Sequence, residues 1–154
     1  MTPVVRILRL PEADPAVPLP TYETEGAAGA DIRANFPEDE RDGVTLVPGQ
    51  RRLIPTGLSV EIPQGFEMQI RPRSGLALKH GLGLSNAPGT IDSDYRGPLG
   101  VILINLGEVP VAIGHGDRIA QAVIAPVAQA RFEVVDSLSG TPRGTGGFGS
   151  TGRS

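Results

Sequence analysis

The sequence predicts an all-β domain of the sandwich, barrel or jelly-roll kind, and three observations carry that prediction. Short stretches alternate apolar and polar residues with period two, they follow one another at close spacing between glycines and prolines, and a single stretch has helical character. The 21 glycines and 15 prolines make up about 23% of the 154 residues, just below the level at which low complexity becomes the default. The chain therefore folds, with many turns, and its length suits one compact domain.

The clearest strands are Leu58-Ser59-Val60-Glu61-Ile62 and Phe66-Glu67-Met68-Gln69-Ile70-Arg71, whose strict alternation marks half-buried antiparallel strands. Shorter strands are expected at residues 4–10, 30–34 and 44–47 before them, and at 82–84, 100–106, 109–113, 119–124 and 131–135 after them. The helical stretch runs from Ser74 to His80, with Ser74 as cap of the first turn and Gly81 as terminator. Residues 11–20 carry four prolines and form an extended or turning connection, while the acidic residues 35–43 are expected in an exposed loop. Residues 137–154 hold six glycines and only Leu138 and Phe148 as bulky apolar groups. They cannot build a core alone, so the chain divides into one β-rich domain, 1–136, and a Gly-rich C-terminal arm, 137–154, flexible unless something binds it.

Charge and residue usage exclude whole classes of function. A net charge of -3 provides no bulk footprint for nucleic acid or an anionic membrane, so any bound anion is held locally. Lys79 is the sole lysine beside 13 arginines, whose planar forks suit carboxylate and phosphate. The absence of cysteine removes disulfides, thiolate metal sites and cysteine nucleophiles together. No apolar run approaches the roughly 18 residues of a membrane span, and a soluble, cytoplasmic protein is expected. His80 and His115 are too few for a zinc cluster, and neither H-E-x-x-H, G-x-S-x-G nor a Walker A motif occurs. What remains is a hydrolase or binder built on carboxylates and arginine, with magnesium as the natural metal.

Several segments admit a chemical and a plainer reading. Gly144-Thr145-Gly146-Gly147-Phe148-Gly149 matches G-x-G-x-x-G, yet no helix can follow it in the five remaining residues, so it is no dinucleotide fingerprint. It is either a solvated tail or a run of backbone N–H groups that wraps phosphates, with Arg143 beside it and Phe148 free to stack on a base. In Arg71-Pro72-Arg73-Ser74-Gly75, two arginines precede a hydroxyl at a helix start, which suits phosphate, or else Ser74 merely caps the helix. The segment Gly89-Thr90-Ile91-Asp92-Ser93-Asp94-Tyr95-Arg96-Gly97 is a polar turn or a loop presenting a general base beside an aromatic ring. Asp117 and Arg118 are expected to pair locally, Gln121 is the odd residue in an apolar run, and Asp31 demands a partner if buried.

Taken in order, Ala28-Gly29-Ala30-Asp31, Pro72-Arg73-Ser74-Gly75-Leu76-Ala77, Gly89 through Gly97, Gly116-Asp117-Arg118-Ile119-Ala120-Gln121 and Arg143 through Gly152 resemble the five motifs of the trimeric dUTPases. The resemblance spans nearly the whole chain, and the acidic loop at 35–43 departs from it only in length. It implies a jelly-roll-like subunit of a homotrimer that hydrolyses dUTP to dUMP and pyrophosphate with magnesium, keeping dUTP low and supplying dUMP for thymidylate synthesis. Each active site would draw the first, second and fourth motifs from one subunit, the third from a neighbour and the arm from the third. Asp92 would activate the water that attacks the α-phosphorus, and Asp31 would act on magnesium through its waters. Tyr95 would pack against the deoxyribose and reject a 2′-hydroxyl. Asn86, with backbone groups from Gly83 to Ile91 that include Gly89, would read uracil. Arg73, Ser74, Gly75 and Gln121 would hold phosphates. From the arm, Arg143, Ser150 and Thr151 would close over the γ end, Gly149 would also bind substrate, and Phe148 would cover the uracil face. Lys79, His80 and Arg71 keep structural readings.

Two other functions compete. A dCTP deaminase shares the fold but relies on a core-strand Glu, and Val101-Ile102-Leu103-Ile104-Asn105-Leu106 carries no acid. A non-catalytic nucleotide sensor would not need Asp92, which stands here with Asp31, Tyr95 and the arm.

Overall fold

The computed structural model describes residues 2–152 and is mostly antiparallel β-structure. Ten strands run in the order β1 (Arg6–Arg9), β2 (Ala30–Arg33), β3 (Val44–Leu46), β4 (Arg51–Glu61), β5 (Phe66–Arg71), β6 (Leu82–Leu84), β7 (Gly89–Ile91), β8 (Pro98–Asn105), β9 (Val111–Ile113) and β10 (Arg118–Pro126). The one α-helix, α1 (Ser74–His80), lies between β5 and β6. Two four-stranded sheets, ordered β1-β4-β8-β6 and β2-β10-β5-β7, enclose the core, and β3 pairs with β9 in a separate ribbon. The architecture is the jelly-roll-like one expected, and no helix of the described residues is long and apolar enough to cross a membrane.

Period-two patterning explains the layers. On β8, Leu99, Val101 and Leu103 are buried, and Met68 and Ile70 of β5 meet them from the other sheet, with Ile32, Ile54 and Val60 completing the centre. Asn105 ends β8 fully buried, yet its amide is satisfied: Nδ2 donates to the carbonyls of Leu46 and Val109, both at 2.8 Å, and Oδ1 accepts from the Gly107 N–H.

Several expectations change. β4 begins at Arg51, because a register shift between Pro55 and Leu58 accommodates the proline and glycine that break its alternation. Gly89-Thr90-Ile91, read as turn, is strand β7 at the edge beside β5. Residues 131–135 form no strand: Phe132 and Val134 point into solvent, and within the described chain no ladder partner meets them. The acidic segment at 35–43 is not wholly an exposed loop, since Asn35 and Phe36 are buried and a short 3-10 turn, Glu38–Glu40, follows. Ser74 does not cap α1; the cap position falls on Arg73, whose side chain makes no capping bond.

Gly81 does terminate the helix in the left-handed conformation, φ +66°. A Cβ there would strike the Gly107 backbone, and one on Gly107 would lie 2.6 Å from the His80 carbonyl, so two glycine backbones touch where α1 ends. The Leu106 N–H donates to the Gly81 carbonyl at 2.8 Å across the same junction.

The proline-rich connection at 11–20 is pinned by its own clasp. Asp14 Oδ2 lies 3.1 Å from His115 Nε2, while His115 Nδ1 accepts the Phe36 N–H, which leaves Nε2 as the protonated nitrogen. The hydrogen bond from the Ala16 N–H and the His115 ring hold the Asp14 carboxyl below its ordinary value.

Candidate active site

Antiparallel register brings distant residues to one corner of the β2-β10-β5-β7 sheet. Asp31 on β2 lies opposite Gln121 on β10, which lies opposite Arg71 on β5, so three strands meet in one row. Pro72 and Arg73 then lead from the end of β5 into α1. Gln121 donates from Nε2 to the Pro72 carbonyl at 2.9 Å, tying the fourth motif to the second. A Cβ on Gly29 would meet Gln121 Oε1, so a larger residue there would have to displace that amide.

Asp31 has a partner on each oxygen. Its side chain is 13% exposed, with Oδ1 3.2 Å from Arg73 Nε and Oδ2 3.2 Å from an Arg118 terminal nitrogen. The expected local pair of Asp117 with Arg118 does not form: Asp117 accepts the Gly114 N–H in its own turn, and Arg118 reaches across to Asp31. Two guanidinium groups around one carboxylate leave a net positive corner. Exposed Ser74 and Gly75 open the helix directly beside it.

The third-motif residues gather elsewhere in the chain. A cavity of about 590 Å³ is lined by Asn86, Thr90, Ile91, Asp92 and Tyr95, with Leu99 behind them. Residues 85–88 carry the chain from β6 in one sheet to β7 in the other, and Asn86 sits on that crossing. Gly89 permits the approach, since a Cβ there would lie 3.3 Å from the Asn86 amide nitrogen. Tyr95 lies over Gly97, whose Cβ would strike its hydroxyl, and that hydroxyl donates to the Pro98 carbonyl at 3.0 Å. Asp92 is exposed at the far end of β7, where the register continues opposite Glu67, four residues along β5 from Arg71. That separates it from the Asp31 row by roughly 13 Å along the strand direction.

The described residues of the arm join neither group. Residues 141–152 make a succession of turns, including Gly144 N–H to Thr141 O and Ser150 N–H to Gly147 O. Arg143 donates to the Gly146 carbonyl, and Phe148 stands in the left-handed region with its ring in solvent. Gly149, Ser150 and Thr151 sit with it. Sequence reasoning thus missed the role of Arg118 at Asp31, and of Gly97 beneath Tyr95, because both depend on contacts that local pattern does not encode.

The dUTPase family model matches residues 16–152. The chain belongs to the dUTPase family. A deoxyuridine 5'-triphosphate nucleotidohydrolase of Dinoroseobacter shibae is 66% identical over 154 residues, covering 99% of both chains. Among solved structures, the Staphylococcus bacteriophage 80alpha dUTPase with dUPNHPP superimposes at a TM-score of 0.84 and 26% identity, over 97% of this chain and 99% of that one. A mutant dUTPase from phage phi11 of S. aureus, described for its coordination of a structural Mg(II) ion, shares the fold at a TM-score of 0.75 and 23% identity, over 89% of this chain and 99% of that one.

Proposed function

We propose that this dUTPase-family chain hydrolyses dUTP to dUMP and pyrophosphate as a cytoplasmic homotrimer, with Asp92 as the water-activating base and magnesium on the triphosphate. The observation that carries the reading is the corner where Asp31, Arg73 and Gln121 meet through strand register. Attack on a polyanion is electrostatically unfavourable, and that corner offers fixed positive charge and oriented amides where phosphate oxygens would lie. Arg73, Ser74, Gly75 and Gln121 bind the phosphates in this reading.

Asp31 suits a supporting role toward the metal. It is a single carboxylate already ion-paired on both oxygens, a donor set too small to hold magnesium directly, so Asp31 would support through water an ion carried by the nucleotide. When bound, the ion would neutralise phosphate charge. Asp92, exposed on its strand end, would take the proton of the attacking water. Tyr95, its ring held over Gly97, would fill the space of a 2′-hydroxyl, and Asn86 with the Gly89–Ile91 backbone would hydrogen-bond uracil. Arg143, Phe148, Gly149, Ser150 and Thr151 would order over the nucleotide as a lid.

Sharing of the site between subunits is supported by two features. The third-motif cavity and the Asp31 corner are separate in one chain, and the described residues of the arm reach neither. In addition, β8 is apolar on both faces: opposite its core side, Ile102 and Ile104 look outward, beside Leu53, which is 62% exposed, and Leu106, 71% exposed. A strand apolar on both faces expects cover on both, and a second copy of the chain supplies it.

Pyrophosphate release with magnesium, compared across dUTP, dCTP, dTTP and UTP, tests the activity. Release from dUTP alone is expected; ammonia from dCTP would indicate a deaminase, and silence on all four a sensor. Mixing subunits carrying Asp92→Asn with subunits lacking residues 143–154 should restore part of the activity that neither has alone, whereas no recovery would argue for sites contained in one chain.

A further inference from the structure

We infer that Arg118 is a positioning residue of the phosphate site: it is the counter-ion that keeps Asp31 in place when Arg73 turns from that carboxylate to a phosphate. The inference rests on the function proposed above. Its basis is the way strand β10 departs from regular register. Gln121 pairs with Asp31 and Ala120 with Ile32, so an unbroken ladder would place Ile119 opposite Arg33 and Arg118 opposite Ala34. The register instead shifts by one between Arg118 and Ala120, and Arg118 lies opposite Arg33. Ile119 and Ala120 are buried in succession, as a bulge requires.

The shift decides which way Arg118 faces. Ile32 and Ala34 belong to the buried side of β2, and Asp31 and Arg33 to the other. In regular register Arg118 would share the buried side with Ala34; the extra residue brings it onto the side of Asp31. Bulges re-aim side chains in this manner. The result is a three-part arrangement: the Arg118 side chain bonds Asp31 Oδ2 at 3.2 Å, Arg73 Nε lies at 3.2 Å from Oδ1, and an Arg73 terminal nitrogen donates to the Arg118 carbonyl at 3.4 Å. Arg118 therefore touches both partners, one through its side chain and the other through its backbone.

Charge explains why a second arginine is needed. With one guanidinium, Asp31 and Arg73 would form a closed neutral pair, and a phosphate could recruit Arg73 only by stranding a largely buried carboxylate beside a polyanion. With Arg118 present, Arg73 can leave while Asp31 keeps a charge-assisted bond and its position.

The test is a double-mutant cycle on the full-length enzyme, read as kcat and KM for dUTP and as affinity for a non-hydrolysable dUTP analogue. Arg118→Gln should raise KM and weaken the analogue about tenfold while kcat changes far less, because the affected step is the release of Arg73. Adding Asp31→Asn to Arg118→Gln should restore analogue affinity to that of Asp31→Asn alone, since a neutral side chain no longer detains Arg73. A merely structural role would give additive losses without that recovery. Should Arg118→Gln not fold, Arg118→Lys carries the test: a single ammonium replaces the fork, so KM and analogue affinity should worsen severalfold with kcat changed less, and that loss should vanish when Asp31→Asn is added. Unchanged KM and affinity in Arg118→Gln, additive losses in the cycle, or a fall in kcat alone in either variant would overturn the proposal. An unmodified chain that neither turns over dUTP nor binds the analogue would instead refute the function on which it rests, and this assignment with it.

Discussion

The Asp31 corner and the C-terminal arm stand at opposite ends of pre-organisation. At the corner, three strands in register, two ion pairs and an amide-to-carbonyl bond bring the side chains together before any ligand arrives. Among the described residues the arm's turns are bonded only to one another, and Phe148, its largest apolar group, lies fully in solvent. One region has its ordering cost met by the fold, whereas in the proposed function the other would meet it on binding. On that reading, groups that bear phosphate charge are built in and groups that complete enclosure are not.

Three measurements press on that contrast. The largest effect is expected from Asp92→Asn, with nucleotide binding kept and kcat reduced on the order of 10²–10⁴-fold; a near-normal rate would remove Asp92 as the base. Deleting residues 143–154 should leave melting temperature and oligomeric state unchanged while lowering kcat/KM by about a hundredfold, as loss of positioning does. Unfolding of the truncated chain would place the arm among the structural elements and end the contrast. Gly97→Ala would push Tyr95 from its seat, and the preference for dUTP over UTP should fall about tenfold, the scale on which one methyl group alters a pocket; an unchanged ratio would free the ring from that duty.

The smallest effect belongs to Asp14, far from both regions in function. Because its folded carboxyl lies below the ordinary 3.8, its contribution to stability is complete above that value and is lost as pH falls through the lower folded value. Asp14→Asn should therefore lower the melting temperature modestly at neutral pH, flatten its decline in acid and leave dUTP turnover intact. A melting profile parallel to that of the unmodified protein at all pH values would show the clasp to be energetically idle.

Much of this was legible in the sequence where patterning is local. Residues 66–71 read directly as β5, and Gly81 was readable as the helix stop, because alternation and a left-handed cap are properties of neighbouring residues. Strand β4 was read only in part, since Pro55 and Gly57 interrupt its period, and β7 was hidden because Gly89-Thr90-Ile91 has the composition of a turn. Phe36 reaches the core from within an acidic stretch, and nothing adjacent announces it. Residues 131–135 show the converse failure, an alternating pattern without a strand in this chain to pair with. At the site, Asp31 was recognisable as a carboxylate in need of a partner, but that partner is 87 positions away and is aimed by a bulge. Such a shift of register leaves no trace in composition.

The glycine contact at the end of α1 has a mechanical consequence. The helix has seven residues, none fully buried; Leu76 rests against the core, and the Gly81–Gly107 junction anchors the C-terminal end. Seven residues span about 10 Å, so a tilt of about 10° at that pivot sweeps the opposite tip, with Ser74 and Gly75, through nearly 2 Å. Gly81 is thus the fulcrum of a short lever, and a methyl group there would be magnified at the far end into a displacement as large as a phosphate contact can tolerate.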